Sequence, residues 1–319
     1  MDMFFSTQKA KTMIYFCGGV GMNVALGFQD HANIAMIDTC DKNITSEHDL
    51  ERVVVTEGTR GAGGNRKYVY PKVAPQIASI LEQHPAGDFN IVVFGGSGGT
   101  GSTVGPLIIN ELLKAGETVC AVMISGIEST SVVNNSIDTL KTLEGISVNN
   151  GKPLSVVHVG NVAGVPYEQT NLEVHYSIQA LIDLTNQQHQ RLDVMDVLNW
   201  LYYTNKLPQI QPQLSQLHIC TNRQDANAIP EMISVASLYT DANREVPFTS
   251  PYISTTGIAN ETDLGYDQIH FVINSIGIVE IMKYLNDVKL EQHRHQVKHV
   301  QRSAITDIDD NRNSDGFVL

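Results

Sequence analysis

No apolar run in this 319-residue chain approaches the ~18 residues that a membrane-crossing helix needs. At the start, Asp2, Lys9 and Lys11 surround a brief Met3-Phe4-Phe5, without the charged-then-apolar order of a secretory signal. Cysteine is scarce. Cys17, Cys40, Cys120 and Cys220 are scattered without metal-type spacing, and three lie in or beside apolar strands, as reduced core thiols of a cytosolic protein would. Positive charge is also short: 21 Lys and Arg against 34 Asp and Glu leave a net charge of −13. That balance disfavours nonspecific DNA or RNA binding, which depends on neutralising phosphates. Neither nucleic acid nor a membrane is therefore an expected partner, and the expected location is cytoplasmic. No internal repeat or low-complexity segment is evident.

What is present suits a soluble two-domain α/β protein, since 319 residues at ~150 per domain suggest two and 42% hydrophobic residues supply a core. The spacing predicts strands at 12–17, 33–38, 53–56, 90–95, 118–124 and 154–160, with helices after several of them. Such alternation needs a mostly parallel sheet covered on both faces. A helix is expected from Thr170, with Val174, Ile178, Leu181 and Ile182 on one face. Pro208 and Pro212 then break the chain, and strands are expected at Leu217–Thr221, Ser234–Tyr239, Tyr252–Thr256 and His270–Val272.

The most informative stretch is Gly95-Gly96-Ser97-Gly98-Gly99-Thr100-Gly101-Ser102, between the apolar strand Ile91-Val92-Val93-Phe94 and a helix expected over Val104–Lys114. A glycine-rich turn opening a helix gathers bare N–H groups at the positive end of the helix dipole, which makes an anion site. A flexible Gly/Ser linker is the competing reading, but linkers are rarely gripped between a core strand and an amphipathic helix. No lysine follows as in a Walker loop. Gly96-Ser97-Gly98-Gly99-Thr100-Gly101 satisfies the dinucleotide spacing, yet it stands on the third or fourth strand rather than the first.

The loop resembles the phosphate loop of the tubulin/FtsZ superfamily of GTP-dependent filament proteins, and other matches follow in the family's order. Cys17-Gly18-Gly19-Val20-Gly21-Met22-Asn23 resembles the first nucleotide loop, Asp38-Thr39 the second, and Arg60-Gly61-Ala62-Gly63-Gly64-Asn65 the third, γ-phosphate-sensing loop. The resemblance implies a Rossmann-like GTP-binding domain over residues 1–169, and a central helix with a catalytic loop over 170–205. A smaller α/β domain over 206–274 and a long C-terminal helix with an acidic tail over 275–319 would follow. It implies GTP or GDP with Mg²⁺ as cofactors, GTP hydrolysis, and a head-to-tail homopolymer.

By the same resemblance Asn161 contacts the guanosine, with a turn asparagine ending a strand as the competing reading. Tyr167 would stack on the base and Asn171 read its edge, as residues four apart share a helix face; Glu173 is a rival for the polar role. Glu128 matches a ribose-binding carboxylate, but Val132 replaces the basic residue expected one turn later. The glycine loop holds no carboxylate or histidine to activate water, so hydrolysis needs a group from elsewhere. Arg191-Leu192-Asp193-Val194-Met195-Asp196-Val197 resembles the family loop whose two acids, here Asp193 and Asp196, act on the neighbouring subunit's nucleotide. Two acids at a helix start are also ordinary caps. Arg191 departs from the usual asparagine.

At the C-terminal end, Ile278, Ile281, Met282, Leu285 and Val288 mark one face of a helix from about Ser275. His295 and His299 have metal-compatible spacing, with a solvated helix extension as the plainer reading. The tail, with Asp307, Asp309 and Asp310 and the apolar tip Phe317 and Leu319, is too short to bury its own apolar residues. Tail, length and loops together resemble the phage-encoded tubulins, which implies filaments that position viral DNA or its compartment in the host bacterial cytoplasm. A dinucleotide-dependent oxidoreductase and a polymerising nucleotide binder without hydrolysis stay open as alternatives.

Overall fold

All six strands expected in the first half form, and they pair in parallel. In the computed structural model, residues 12–31, 33–161, 164–185, 190–245, 248–259 and 265–300 are described, with side chains through Arg294 except that of Arg244. The order β3 (Val53–Val55), β2 (Ile34–Asp38), β1 (Thr12–Cys17), β4 (Phe89–Gly95), β5 (Val119–Ser125), β6 (Leu154–Gly160) places β1 beside β4 at the centre. Every residue of β1, β2, β4 and β5 is buried. That explains why these strands read as continuous apolar runs instead of alternating, because helices cover both sides of a parallel sheet.

The covering helices are α1 (Gly18–Ala25), α2 (Arg66–Val73), α3 (Ile77–Gln83), α4 (Gly101–Lys114) and α5 (Thr130–Asn150). Helix α4 begins three residues earlier than expected, because Gly101, Ser102 and Thr103 already form its first turn. Helix α6 (Tyr167–Thr185) takes Tyr167 as its first residue. Its 19 residues span about 28 Å at 1.5 Å each, from the carboxyl edge of the sheet to the amino edge. There the Thr185 and Thr12 hydroxyls lie 2.8 Å apart, pinning its end to the start of β1.

The second block adds α7 (Val194–Leu201), β7 (Leu214–Cys220), α8 (Arg223–Ala228), β8 (Met232–Tyr239), β9 (Tyr252–Ile253), β10 (Gly257–Ile258), β11 (Gln268–Asn274) and α9 (Ile276–Val300). Its strands do not build a separate sheet. Strand β7 joins β6 in parallel through Leu154/Leu214, Ser155/Ser215 and Val156/Gln216, and β11 and β8 follow antiparallel. The described strands thus form one eleven-stranded sheet. Trp200 of α7 anchors this half: it is fully buried, donates from Nε1 to the Phe271 carbonyl at 3.1 Å and meets the Phe271 ring edge-on. The strand expected over Tyr252–Thr256 stops at Ile253, and just beyond it the Ser254 and Thr255 hydroxyls donate to the Asp196 carbonyl and carboxylate.

Candidate functional site

Strands β1 and β4 hand over to helices at the same edge of the sheet, so the N-termini of α1 and α4 converge. A Cβ on Gly18, whose φ is +72°, would lie 2.6 Å from the Gly101 nitrogen, and one on Gly101 would lie 2.8 Å from the Gly95 carbonyl oxygen. Only glycine permits that approach. Neither Cys17 nor Thr100 caps its helix with a side chain, which leaves first-turn N–H groups for a ligand.

A cleft of about 410 Å³ opens at this point. It is lined by Gly19 and Val20, by Asp38 and Lys42, by Gly61 to Gly64, and by Gly95 with Gly98 to Gly101. Three of the four loops are stitched together. Asp38 accepts from the Thr39 backbone N–H at 2.6 Å and the Asn43 amide at 2.7 Å, and the Thr39 and Thr100 hydroxyls are 2.6 Å apart. Asn135 of α5 donates to the Gly64 carbonyl at 2.9 Å and the Ser97 carbonyl at 3.0 Å, clamping the third loop to the main one. Ser102 and Thr103 turn back to the Gly98 and Gly99 carbonyls. Burial, with Asp38 nearby, pushes the Cys17 thiol far up, so it stays protonated and unreactive.

Some expected residues face elsewhere. Gly21 packs against the Phe16 backbone, the Met22 side chain is wholly buried in the core, and Asn23 is exposed on α1. Gly96 is bound to Ile124 and Thr139. Asn65 caps α2 by accepting from the Tyr68 N–H at 3.1 Å. The base-end residues lie outside the cleft lining. There the Tyr167 hydroxyl donates to Glu128 at 3.3 Å, Asn171 and Glu173 are exposed on α6, and Asn161 Oδ1 is buried without a partner. Lys42 and Asn135 were missed by motif reasoning. Lys42 sits in a single helical turn after the second loop, and its one legible signal is a cation four residues beyond Asp38.

Asp193 and Asp196 stand at the opposite edge. Asp193 lines a second cavity with Asp88, Phe89 and Thr118, which lie at the amino ends of β4 and β5. The two acids form a capping box on α7: Asp193 accepts from the Asp196 N–H at 2.9 Å and Asp196 from the Asp193 N–H at 3.2 Å. Thr255 donates to the other Asp196 oxygen at 2.9 Å. Arg191, at φ +75°, pairs with Glu245 at 3.1 Å. The tail residues Asp307, Asp309, Asp310, Phe317 and Leu319 lie outside the described residues, as do the side chains of His295 and His299.

Residues 192–278 match the family profile described as phage tubulin-like protein, C-terminal domain. A phage tubulin-like protein of Pseudomonas phage PhiPA3 is 55% identical over 314 residues, covering 98% of this chain and 100% of that one. The chain belongs to the phage tubulin-like proteins. A second phage tubulin-like protein, from Pseudomonas phage 201phi2-1, is 46% identical and covers 97% of this chain and 99% of its own. Among solved structures, the phage tubulin PhuZ with GDP superimposes with a TM-score of 0.89 at 45% identity, covering 97% of this chain and all of that one. A protofilament of TubZ from bacteriophage PhiKZ gives 0.88 at 37%, covering 98% of this chain and all of that one. The phage tubulin-like fold is therefore the frame for these loops. Among its described residues no helix is long and apolar enough to cross a membrane.

Proposed function

We propose that this phage tubulin-like chain binds GTP in the glycine-loop cleft, polymerises head to tail, and hydrolyses the nucleotide across the subunit junction. One observation carries the reading: the cleft lies at the carboxyl edge of the sheet and the acids at the amino edge. One molecule cannot bring the two together, but a second copy stacked along the strands can. Apolar residues are exposed at both edges, with Tyr167 61% and Leu172 71% accessible at one and Met195 58% at the other, as a heterologous interface requires.

Each group then has a role. First-turn N–H groups of α1 and α4 hold the phosphates, and Lys42 offsets charge that the missing Walker lysine would neutralise. Asp193 and Asp196 orient and deprotonate water for attack on the γ-phosphate of the next subunit. Asp38 and Thr100, which line the cleft, would hold Mg²⁺ together with the nucleotide's phosphates and water, since the ion keeps much of its hydration and needs few protein ligands. The ion would offset charge on the phosphates.

The tail would dock on an adjacent subunit in the groove between α2, α4 and α5, where Arg66 and Lys67 rim a floor of Pro106, Leu107 and Ile146. Acids followed by Phe317 and Leu319 match an apolar floor whose rim carries Arg66 and Lys67 against the single acid Asp138. The filament would position phage DNA or its compartment in the host cytoplasm.

Sedimentation and negative-stain microscopy with GTP, GDP and NAD, alongside phosphate release, test the reading. GTP alone should give concentration-dependent polymer with phosphate release. NAD binding without polymer would replace it with an oxidoreductase, and polymer without phosphate release with a non-hydrolysing filament.

A further inference from the structure

Below the base end of the cleft, Ser125 ends β5, and His158 precedes Asn161 by three residues. Ser125 Oγ and His158 Nε2 lie 2.8 Å apart, and the Asn161 backbone N–H donates to the Ser125 carbonyl at 2.7 Å. The Asn161 side chain directs a buried Oδ1 that has no hydrogen-bond partner. A buried acceptor left unpaired costs ~1–3 kcal/mol, so a donor that arrives with a ligand would recover that energy.

A serine–histidine pair at the carboxyl end of a parallel sheet also has the geometry of an activated nucleophile. Here that role fails, because Ser125 is 1% exposed and no substrate carbon reaches its hydroxyl. Loss of hydration holds the His158 pKa down at about 4, so the ring is neutral at neutral pH and exerts no charge on the site. What remains is mechanical. The pair ties the last residue of β5 to β6, and that residue's carbonyl grips the Asn161 backbone.

We infer that Ser125 and His158 are positioning residues for Asn161, holding its amide oxygen where the N–H edge of a guanine base arrives. This rests on the proposed guanine-nucleotide reading of the cleft. Guanine offers a ring N–H and an exocyclic amino group to an acceptor. Adenine presents an acceptor in place of the ring N–H, and hypoxanthine keeps the ring N–H but lacks the amino group.

The test measures GTP, ITP and ATP affinities of the full chain below its polymerisation threshold, for wild type and the variants Ser125→Ala, His158→Leu, His158→Gln, Asn161→Ala and Ser125→Ala/Asn161→Ala. Asn161→Ala should lose roughly tenfold in GTP affinity, as for a site deprived of one hydrogen-bond partner. Ser125→Ala and His158→Leu should each lower the GTP-to-ITP preference about threefold or more, and His158→Gln, which retains a pairing group, should keep most of it. The double variant should bind no more weakly than Asn161→Ala, because coupled residues are not additive. An unchanged GTP-to-ITP preference in the single variants, or additive losses in the double, overturns the inference. Should Ser125→Ala not fold, the contrast between His158→Leu and His158→Gln decides alone. A wild-type chain with no preference for GTP over ATP would overturn the guanine-nucleotide reading instead.

Discussion

Replacing Asp196 with alanine separates structure from chemistry, because its structural cost can be read from its contacts. The carboxylate caps α7 through the Asp193 N–H and accepts from the Thr255 hydroxyl, which is exposed and regains water when that contact is lost. Loss of such a cap costs ~0.5–2 kcal/mol, against ~5–15 kcal/mol for a folded domain. The subunit should therefore fold, with a melting point lowered by a few degrees, ~2–4 °C per kcal/mol. Removing a positioned general base slows proton transfer ~10²–10⁴-fold, equivalent to ~2.7–5.5 kcal/mol of barrier. The expected signature is thus a large fall in phosphate release per polymerised subunit, unchanged GTP affinity of the isolated subunit, and slower disassembly after dilution. Affinity is spared because α6 alone keeps the edges about 28 Å apart. Asp196→Asn, which retains an acceptor for the cap, should restore the melting point without restoring turnover. Unchanged phosphate release in the polymerising Ala variant would refute the acid assignment, and lost subunit affinity would refute action across a junction.

Gly99→Val should weaken GTP binding roughly ten- to hundredfold by titration, since a Cβ there meets that of Ala62 at 2.5 Å and overpacking costs ~1–3 kcal/mol. Stability should fall as pH drops from 6.5 toward 4. Burial holds His158 and His270 down at about 4, so the unfolded chain binds the extra protons, with a slope of up to ~1.4 kcal/mol per pH unit for each. Urea midpoints should show this, and His270→Gln should shallow the profile; an identical slope in that variant would remove His270 from the account. Deleting residues 307–319 should raise the critical concentration and flatten the salt dependence of assembly while sparing subunit GTP affinity, because exposed ion pairs of ~0.2–1 kcal/mol fade as the Debye length shrinks. Sedimentation at two salt concentrations checks it, and identical curves would make the tail a bystander.

The parallel half was legible because buried strands such as Ile34–Asp38 and Phe89–Gly95 are short β-branched runs bounded by glycine or polar turns. The convergence of Gly18 on Gly101 was legible in kind, since both glycine turns follow neighbouring central strands. The continuity of the sheet was not. It depends on three residue pairs between Leu154–Val156 and Leu214–Gln216, and nothing in either segment announces its partner. Nor does spacing reveal that Met22 turns inward while Val20 faces the cleft, which depends on how α1 is rolled against β4. By themselves Asp193 and Asp196 read as caps, and only the upstream nucleotide loops favour catalysts. Locally they are caps, and their position opposite the cleft, which only the folded chain displays, is what gives the second reading its force.

The separation of cleft and acids has an arithmetic of its own. On the proposed head-to-tail stacking, n subunits would contain n − 1 complete sites, making the contact and not the molecule the catalytic unit. One terminus would present a loaded cleft with no acid above it, the other an acid pair with nothing to act on. The first would keep its triphosphate until another subunit lands, and each arrival would start the clock on the junction just buried. Growth and ageing would then be consecutive events at every position along the polymer, and its two tips would differ chemically before any outside factor touches them.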